Sequence, residues 1–263
     1  MTYQFIDFDI NDDVGILMLK RPEKLNSFTV PMLEEIADAL DQAADDKMVR
    51  AILLSGTGRA FGAGQDLSER EVRPGDPPPD LGESLEKRYN PIVKKIRSLE
   101  IPVVCAVNGV AAGAAANMAL ACDLVLAAKS ARFIEPFCRL GLVPDAGGTW
   151  SLPRLVGRAR AMGMAMLGGD ISAEQAEEWG LIWKCVDDDH LMQEARTLAQ
   201  TLATQPTVGL GLIKRAINES HSNTLAEQLD LERDFQRIAC KTDDYMEGVT
   251  AFLEKRKPEF TGS

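Results

Sequence analysis

Two stretches poor in side-chain bulk are placed where backbone N–H groups can gather on a negative charge. The first, Asn108-Gly109-Val110-Ala111-Ala112-Gly113-Ala114-Ala115-Ala116-Asn117, continues directly from the apolar run Ile101 to Val107, so a buried strand is expected to end in a turn that opens a helix. The unpaired N–H groups and positive dipole end of such a helix face an anion, and the small side chains let a ligand come close to the backbone. The second, Ser55-Gly56-Thr57-Gly58-Arg59-Ala60-Phe61-Gly62-Ala63-Gly64-Gln65-Asp66-Leu67, lies about 50 residues earlier. It lacks the Gly-Lys-Ser/Thr ending of a P-loop, and its glycine spacing does not fit a dinucleotide fingerprint. Nucleotide hydrolysis is therefore disfavoured. The chemistry left is stabilisation of a developing oxyanion by convergent N–H groups.

Other reactive side chains narrow the field. The two histidines, His190 and His221, sit in the polar runs Asp187-Asp188-Asp189-His190 and Glu219-Ser220-His221-Ser222, which predicts exposed side chains and removes a His-based triad. Cys105, Cys122, Cys138, Cys185 and Cys240 form no CxxC pair and are odd in number, so neither a disulfide framework nor a zinc site is expected. They read as reduced, mostly buried thiols. With 29 basic against 40 acidic residues the net charge is −11, which disfavours nucleic-acid and anionic membrane surfaces. An anionic small ligand would need local cations. The segment Met1 to Asp7 lacks a basic region followed by an apolar one, and no stretch approaches the length of a membrane span, so a cytoplasmic protein without membrane association is expected.

The elements that must position these stretches follow from periodicity. At 263 residues and 45% hydrophobic content, the default is one large domain burying roughly three quarters of its unfolded surface. Alternation over Tyr3 to Ile10, a turn at Asn11-Asp12-Asp13 and a second apolar run from Val14 to Leu19 predict an antiparallel hairpin. An amphipathic helix is predicted from Val30 to Ala44, with Leu33, Ile36, Ala37 and Leu40 on one face. Ala51 to Ser55 and Leu124 to Ala127 read as strands buried on both faces, and Leu85, Tyr89, Ile92, Val93, Ile96 and Leu99 mark a helix. Glu71 to Asp80, with three successive prolines, reads as a loop or lid. The alternation of strand and helix predicts a mixed α/β core with a parallel sheet. Helices are predicted at about 158–167, 172–179, 189–204, 207–219, 223–239 and 243–255, with one strand at Leu181 to Val186 and a helix-to-helix break at Gln205-Pro206.

Three ordered motifs then carry a resemblance. Phe61-Gly62-Ala63-Gly64-Gln65-Asp66-Leu67, Asn108 to Ala116, and Leu140-Gly141-Leu142-Val143-Pro144-Asp145-Ala146-Gly147-Gly148-Thr149 together resemble the crotonase (enoyl-CoA hydratase/isomerase) superfamily. The match runs from Val14 to Phe260 and includes Arg21-Pro22-Glu23-Lys24-Leu25-Asn26 and Phe252-Leu253-Glu254-Lys255-Arg256. It implies a ββα spiral core over 1–204 holding an acyl-CoA site, and a non-independent helical trimerisation region over 205–263. It also implies that the N–H groups of Gln65 and Ala114 bind the thioester oxygen as it becomes an enolate. Both residues depart from the family's commonest choices, Ala and Gly, and the Gln65 side chain would narrow the site. Coenzyme A enters as part of the substrate, with no separate cofactor. Its contacts would be Lys24, Ala63, Gln65, Asp66, Leu67, Phe252 and Lys255, the last usually reaching a neighbouring subunit. Trimers or pairs of trimers are the implied assembly, and a companion enoyl-CoA hydratase is an implied partner.

The carboxylates select the subclass. Hydratases of the family use two glutamates, at positions that carry Asn117 and Phe137 here, and a phenylalanine neither takes nor gives a proton. Asp145 stands instead in the third motif, where hydratases usually have Gly. One carboxylate beside an oxyanion hole suits a proton shuttle that removes a thioester-activated proton and returns it to another carbon. Burial among Leu142, Val143 and Ala146 would raise its pKa; the competing reading is a helix N-cap. Glu135 and Asn117 are candidate assistants, whereas Asp66 reads as a structural or adenine-loop residue. Asp145 with Asn117, the Asp66 to Asp80 loop, Tyr89-Asn90-Pro91 and Gly209 to Ile217 further resemble the branch that converts ring 1,2-epoxyphenylacetyl-CoA to oxepin-CoA in phenylacetate catabolism and shifts 3,4 double bonds to 2,3. In that reading the Pro-rich loop and Tyr89 wall an aryl pocket. The alternatives are a Δ3,Δ2-enoyl-CoA isomerase of fatty-acid oxidation and a non-catalytic CoA-binding partner subunit.

Overall fold

The computed structural model describes residues 3–70 and 80–263. The hairpin forms as its alternation predicts: β1 (Ile6–Asn11) pairs antiparallel with β2 (Val14–Leu19). Asp12 and Asp13 both take positive φ, 51° and 61°, the geometry of a tight hairpin turn that short acidic side chains tolerate. Helix α1 (Val30–Asp45) buries Leu33, Ile36 and Leu40. Strand β3 (Ala51–Gly56) is buried at every position because β2 and β5 (Val103–Val107) flank it in parallel.

From β3 onward the chain repeats one unit. Strands β3, β5 and β7 (Leu124–Ala128) are parallel neighbours in a six-stranded sheet, ordered β1-β2-β3-β5-β7 and closed by β10 (Lys184–Val186). Each of the three is followed by a three-residue strand, β4 (Ala60–Gly62), β6 (Val110–Ala112) or β8 (Arg132–Ile134). These are again parallel neighbours, in a second sheet completed by antiparallel β9 (Asp170–Ser172). Helices follow each pair: α2 (Leu81–Ser84) and α3 (Asn90–Ser98) after β4, α4 (Ala114–Leu120) after β6, α5 (Gly148–Leu167) after β8. Two strands and a helix per turn make the ββα spiral. The expectation that β5 passes through a turn straight into a helix is corrected, since β6 intervenes. The corner between them is tight: a Cβ on Gly109 would lie 2.2 Å from the Arg59 carbonyl oxygen.

Three further expectations are revised. The helix predicted through Leu85 is broken into α2, a π-helical turn at Leu85–Tyr89, and α3. Helix α5 begins at Gly148 rather than near 158 and bends where Gly157 leaves helical geometry at φ 76°. Only Cys105 and Cys122 are buried; Cys138 and Cys185 are half-buried, Cys240 is exposed, and all five are free thiols. The segment Glu71 to Pro79, read as a lid, lies outside the described residues.

Helices α6 (Ala173–Glu178), α7 (Leu191–Ala203), α8 (Thr207–Glu219), α9 (Leu225–Ala239) and α10 (Asp243–Glu254) make up the helical C-terminal part. The alanine face of α7, Ala195, Ala199 and Ala203, is buried and packs on β3 and β5. Arg50, just ahead of β3, ties the last residues to the core by donating to the carbonyls of Gln205 (2.7 Å) and Phe260 (3.0 Å). Among the described residues no helix is long and apolar enough to cross a membrane.

Candidate active site

Strands β4, β6 and β8 run in the same direction and end side by side, so the residues that follow them emerge together at one sheet edge. These are Ala63 to Asp66, Gly113 and Ala114, and Glu135 to Phe137. The first loop is fixed by main-chain bonds: Ala63 N–H donates to Leu25 O (3.0 Å), Phe28 N–H to Gly64 O (2.7 Å) and Asp66 N–H to Phe28 O (2.8 Å). Gly113 N–H bonds Ile134 O at 2.9 Å, locking the second loop to the third. A Cβ on Gly64 would lie 2.9 Å from Ala112 O and 3.6 Å from Ala114 N, and Gly64 itself has φ +80°. The first two loops therefore meet backbone to backbone where only glycine fits. Gln65 and Ala114, quoted from separate motifs, are brought to neighbouring positions.

Glu135 and Asp145 are linked, the first by its carboxyl and the second by its main chain, through Asn117, which is buried on α4. Its amide nitrogen donates to Asp145 O at 2.9 Å and to Glu135 Oε2 at 3.3 Å. Glu135 is 1% exposed, and burial pushes its carboxyl up to about 8; the Asn117 bond opposes this shift and the nearby Asp145 charge adds to it. Asp145 is half-buried in the loop ahead of α5. The burial expected of its neighbours is not found, since Leu142 is 42% and Val143 76% exposed; Ala146 alone of the three is buried. These two side chains turn outward because Gly141 and the turn after Pro136 carry the chain across the surface. The buried acid with a strongly raised pKa is Glu135. Nor is the Asp145 side chain a helix cap: α5 has no side-chain cap, and Gly148 N–H bonds the Asp145 main-chain oxygen at 2.8 Å. Asn117, a candidate assistant, is engaged with the Asp145 main chain and the Glu135 carboxyl.

Gln65 is held sideways. Its Oε1 accepts from the Tyr89 hydroxyl at 2.6 Å, and its amide nitrogen donates to Phe28 O at 3.2 Å. Tyr89 is itself buried to 1% exposure, so it is packed inside the protein rather than forming an open pocket wall. Asp66 is tied to its own loop: the Ser68 hydroxyl (2.7 Å) and then the Arg21 guanidinium (3.0 Å) hold its carboxyl down at about 2. Asn26, fully buried, accepts from Arg21 N–H and donates to the carbonyls of Thr57 and Ala60, bracing the approach to β4. In the sequence it was visible only as part of the Arg21 to Asn26 motif.

The model of the family described as enoyl-CoA hydratase/isomerase matches residues 9–263. The chain belongs to that family. The 1,2-epoxyphenylacetyl-CoA isomerase of Escherichia coli K12 is 57% identical over 98% of this chain and 99% of its own. The trans-2-decenoyl-[acyl-carrier-protein] isomerase of Streptococcus mutans is 35% identical over the whole of both. The solved enoyl-CoA hydratase of Bacillus anthracis superposes with a TM-score of 0.90 at 33% identity, over 99% of this chain and all of that one.

This enoyl-CoA hydratase/isomerase family member is thus an enzyme with the crotonase fold, and the residues expected to meet coenzyme A fall into two places. Lys24 and Leu67 are exposed beside the first loop, Lys24 being joined to it through the Leu25–Ala63 bond. Phe252 is 83% exposed at the end of α10, where it lines an apolar cavity of about 520 Å3 with Tyr245, Val249 and Phe260; Lys255 follows it, also exposed. Phe252 shares that cavity with Pro206 and Gly209 at the start of α8. His190 and His221 are exposed, as predicted, and His221 meets the Trp150 ring edge-on at 5.5 Å. Among the described residues no group of three or more His, Cys, Asp and Glu is gathered that could hold a metal ion.

Proposed function

We propose that this enzyme isomerises ring 1,2-epoxyphenylacetyl-CoA to oxepin-CoA and also shifts 3,4 double bonds of acyl-CoA thioesters to the 2,3 position. The observation that carries the reading is the single-carboxylate loop, Asp145, at a site where Asn117 and Phe137 leave no hydratase pair. The 57% identity to the E. coli isomerase over 98% of the chain supports the aryl epoxide as substrate. The S. mutans relative, named as an isomerase of trans-2-decenoyl-[acyl-carrier-protein], supports the second activity.

In this reading the N–H groups of Gln65 and Ala114 receive the thioester oxygen. Asp145 takes a proton from the carbon next to the thioester, the electron pair moves onto the oxygen, and the same proton returns two carbons further on. No atom enters or leaves, so no water-activating base is needed and Phe137 serves by shape. With the epoxide, Asp145 handles the reorganisation at the ring oxygen. Lys24, with Phe252 and Lys255 of a neighbouring subunit, would hold the coenzyme A. The homotrimer or dimer of trimers that this requires is supported by the exposed apolar side chains Ile213, Ile217, Leu225 and Leu229 on α8 and α9.

Turnover of 1,2-epoxyphenylacetyl-CoA, a 3-enoyl-CoA and crotonyl-CoA by the wild type and by Asp145→Asn tests the proposal. The first two should react and fail in the variant, with negligible hydration of the third. Strong hydration that survives the substitution would overturn it.

A further inference from the structure

Glu135 is a buried acid that the proton shuttle just described does not use. It follows β8 directly, at the same sheet edge as the Gln65 and Ala114 loops. Its Oε2 accepts from the Asn117 amide nitrogen, whose other donor bond goes to the main-chain oxygen of Asp145. Its Oε1 has no hydrogen-bond partner among the described residues, so the Asn117 contact is what anchors the carboxyl group. The start of α5 rests on the same amide: a Cβ on Gly148 would lie 2.4 Å from the Asn117 nitrogen.

Resting on the reading of Asp145 as the base, we propose that Glu135 is its positioning residue, fixing through the Asn117 amide where the Asp145 loop stands against the substrate. A primary amide can be rotated to exchange its nitrogen and oxygen. In the orientation found, both N–H groups of Asn117 have acceptors; in the reverse one, its oxygen would face the Asp145 carbonyl oxygen, a repulsive pair. Glu135 supplies the second acceptor, so the amide is held at two points and not only at the Asp145 carbonyl. The groups facing the Glu135 carboxyl are the Asn117 amide from α4 and the Asp145 carboxylate from the loop before α5. Arg139 and Cys138, on its own turn, lie with the Glu135 carbonyl near Gly168.

A second consequence is a limit on the alkaline side. At neutral pH Glu135 keeps its proton, and the negative charge facing it is that of Asp145. Once Glu135 ionises, a second buried anion stands beside the base and the forming enolate, and proton abstraction is opposed.

The test measures kcat and KM from pH 6 to 9.5 on a 3-enoyl-CoA for the wild type, Glu135→Ala, Glu135→Gln and Asp145→Asn. Glu135→Ala should lose on the order of 10 to 100-fold in kcat with KM little changed, as expected for a displaced catalytic group. Glu135→Gln, which still offers Asn117 an acceptor, should recover most of that loss and lack the decline that begins near pH 8 in the wild type. Wild-type kcat and an unaltered profile in Glu135→Ala, or a wild-type alkaline decline in Glu135→Gln, would overturn the proposal. Should Glu135→Ala be too unstable to assay, the Glu135→Gln profile decides alone. Full activity in Asp145→Asn would instead remove the base, and the positioning role with it, whatever the Glu135 variants do.

Discussion

The hydroxyl of Tyr89 donates to Oε1 of Gln65 at 2.6 Å, across 24 residues of sequence. This bond draws the Gln65 side chain onto the interior, where its amide also reaches the Phe28 carbonyl, rather than leaving it to narrow the site. A polar side chain next to a candidate oxyanion donor is therefore part of the wall that aims the donor. Tyr89→Phe should cost about 1 kcal/mol of stability for the lost bond. It should also lower kcat several-fold by loosening Gln65. Thermal melts and steady-state rates on one preparation check both.

Removing the proposed base, Asp145, should leave binding intact. Asp145→Asn is nearly isosteric, and the main-chain oxygen that Asn117 and Gly148 bond is retained. The expected result is a loss of about 10²- to 10⁴-fold in kcat, the usual contribution of a general base, at nearly unchanged KM. Calorimetric titration with a substrate-like acyl-CoA should give wild-type affinity.

Glu135 also sets a pH dependence of stability. Its carboxyl titrates near 8 in the folded protein and near 4.5 when unfolded, so between those values the folded state binds more protons. By linkage, stability falls as pH rises across that window: the penalty is absent below about 4.5 and complete above about 8. Glu135→Gln removes the ionisation. Urea unfolding at pH 5 and pH 8.5 should show the variant gaining on the wild type by a few kcal/mol at the higher pH, on the order of the free energy of carrying a carboxyl from 4.5 to about 8.

The contact between the first two loops tolerates no added carbon. Gly64→Ala places a Cβ 2.9 Å from Ala112 O at a residue with φ +80°. The cost should be about 1 to 3 kcal/mol for backbone strain at a site that cannot relax. Because the same shift separates Gln65 from Ala114, kcat should drop more than the folded fraction does, which circular dichroism and rates measured together would reveal.

The elements with a long period were legible in the sequence. The hairpin, α1, β3 and β7 were visible because five or more residues suffice to show alternation, amphipathicity or an unbroken apolar run. Strands β4, β6, β8 and β9 were not, since three residues carry no period, and yet three of them deliver the site. Motif order recovered what periodicity missed, marking Gln65, Ala114, Asn117 and Asp145 without the sheet that joins them. The burial and raised pKa of Glu135 were not legible, because burial depends on where the chain turns after Pro136, which local composition does not encode. The Tyr89–Gln65 bond was hidden for a similar reason: two residues on different elements meet only after the spiral has closed.

The side-by-side ending of β4, β6 and β8 separates what builds this scaffold from what selects its reaction. Pairing within the small sheet is made by main-chain atoms, which any sequence of small or apolar residues can supply. The proposed chemistry rests on main-chain donors in two of the emerging loops and on Asp145, which follows the third. On the proposed reading, the residues that choose between proton relocation and water addition stand outside the strand pairing, so the architecture that gathers them does not depend on which reaction they serve.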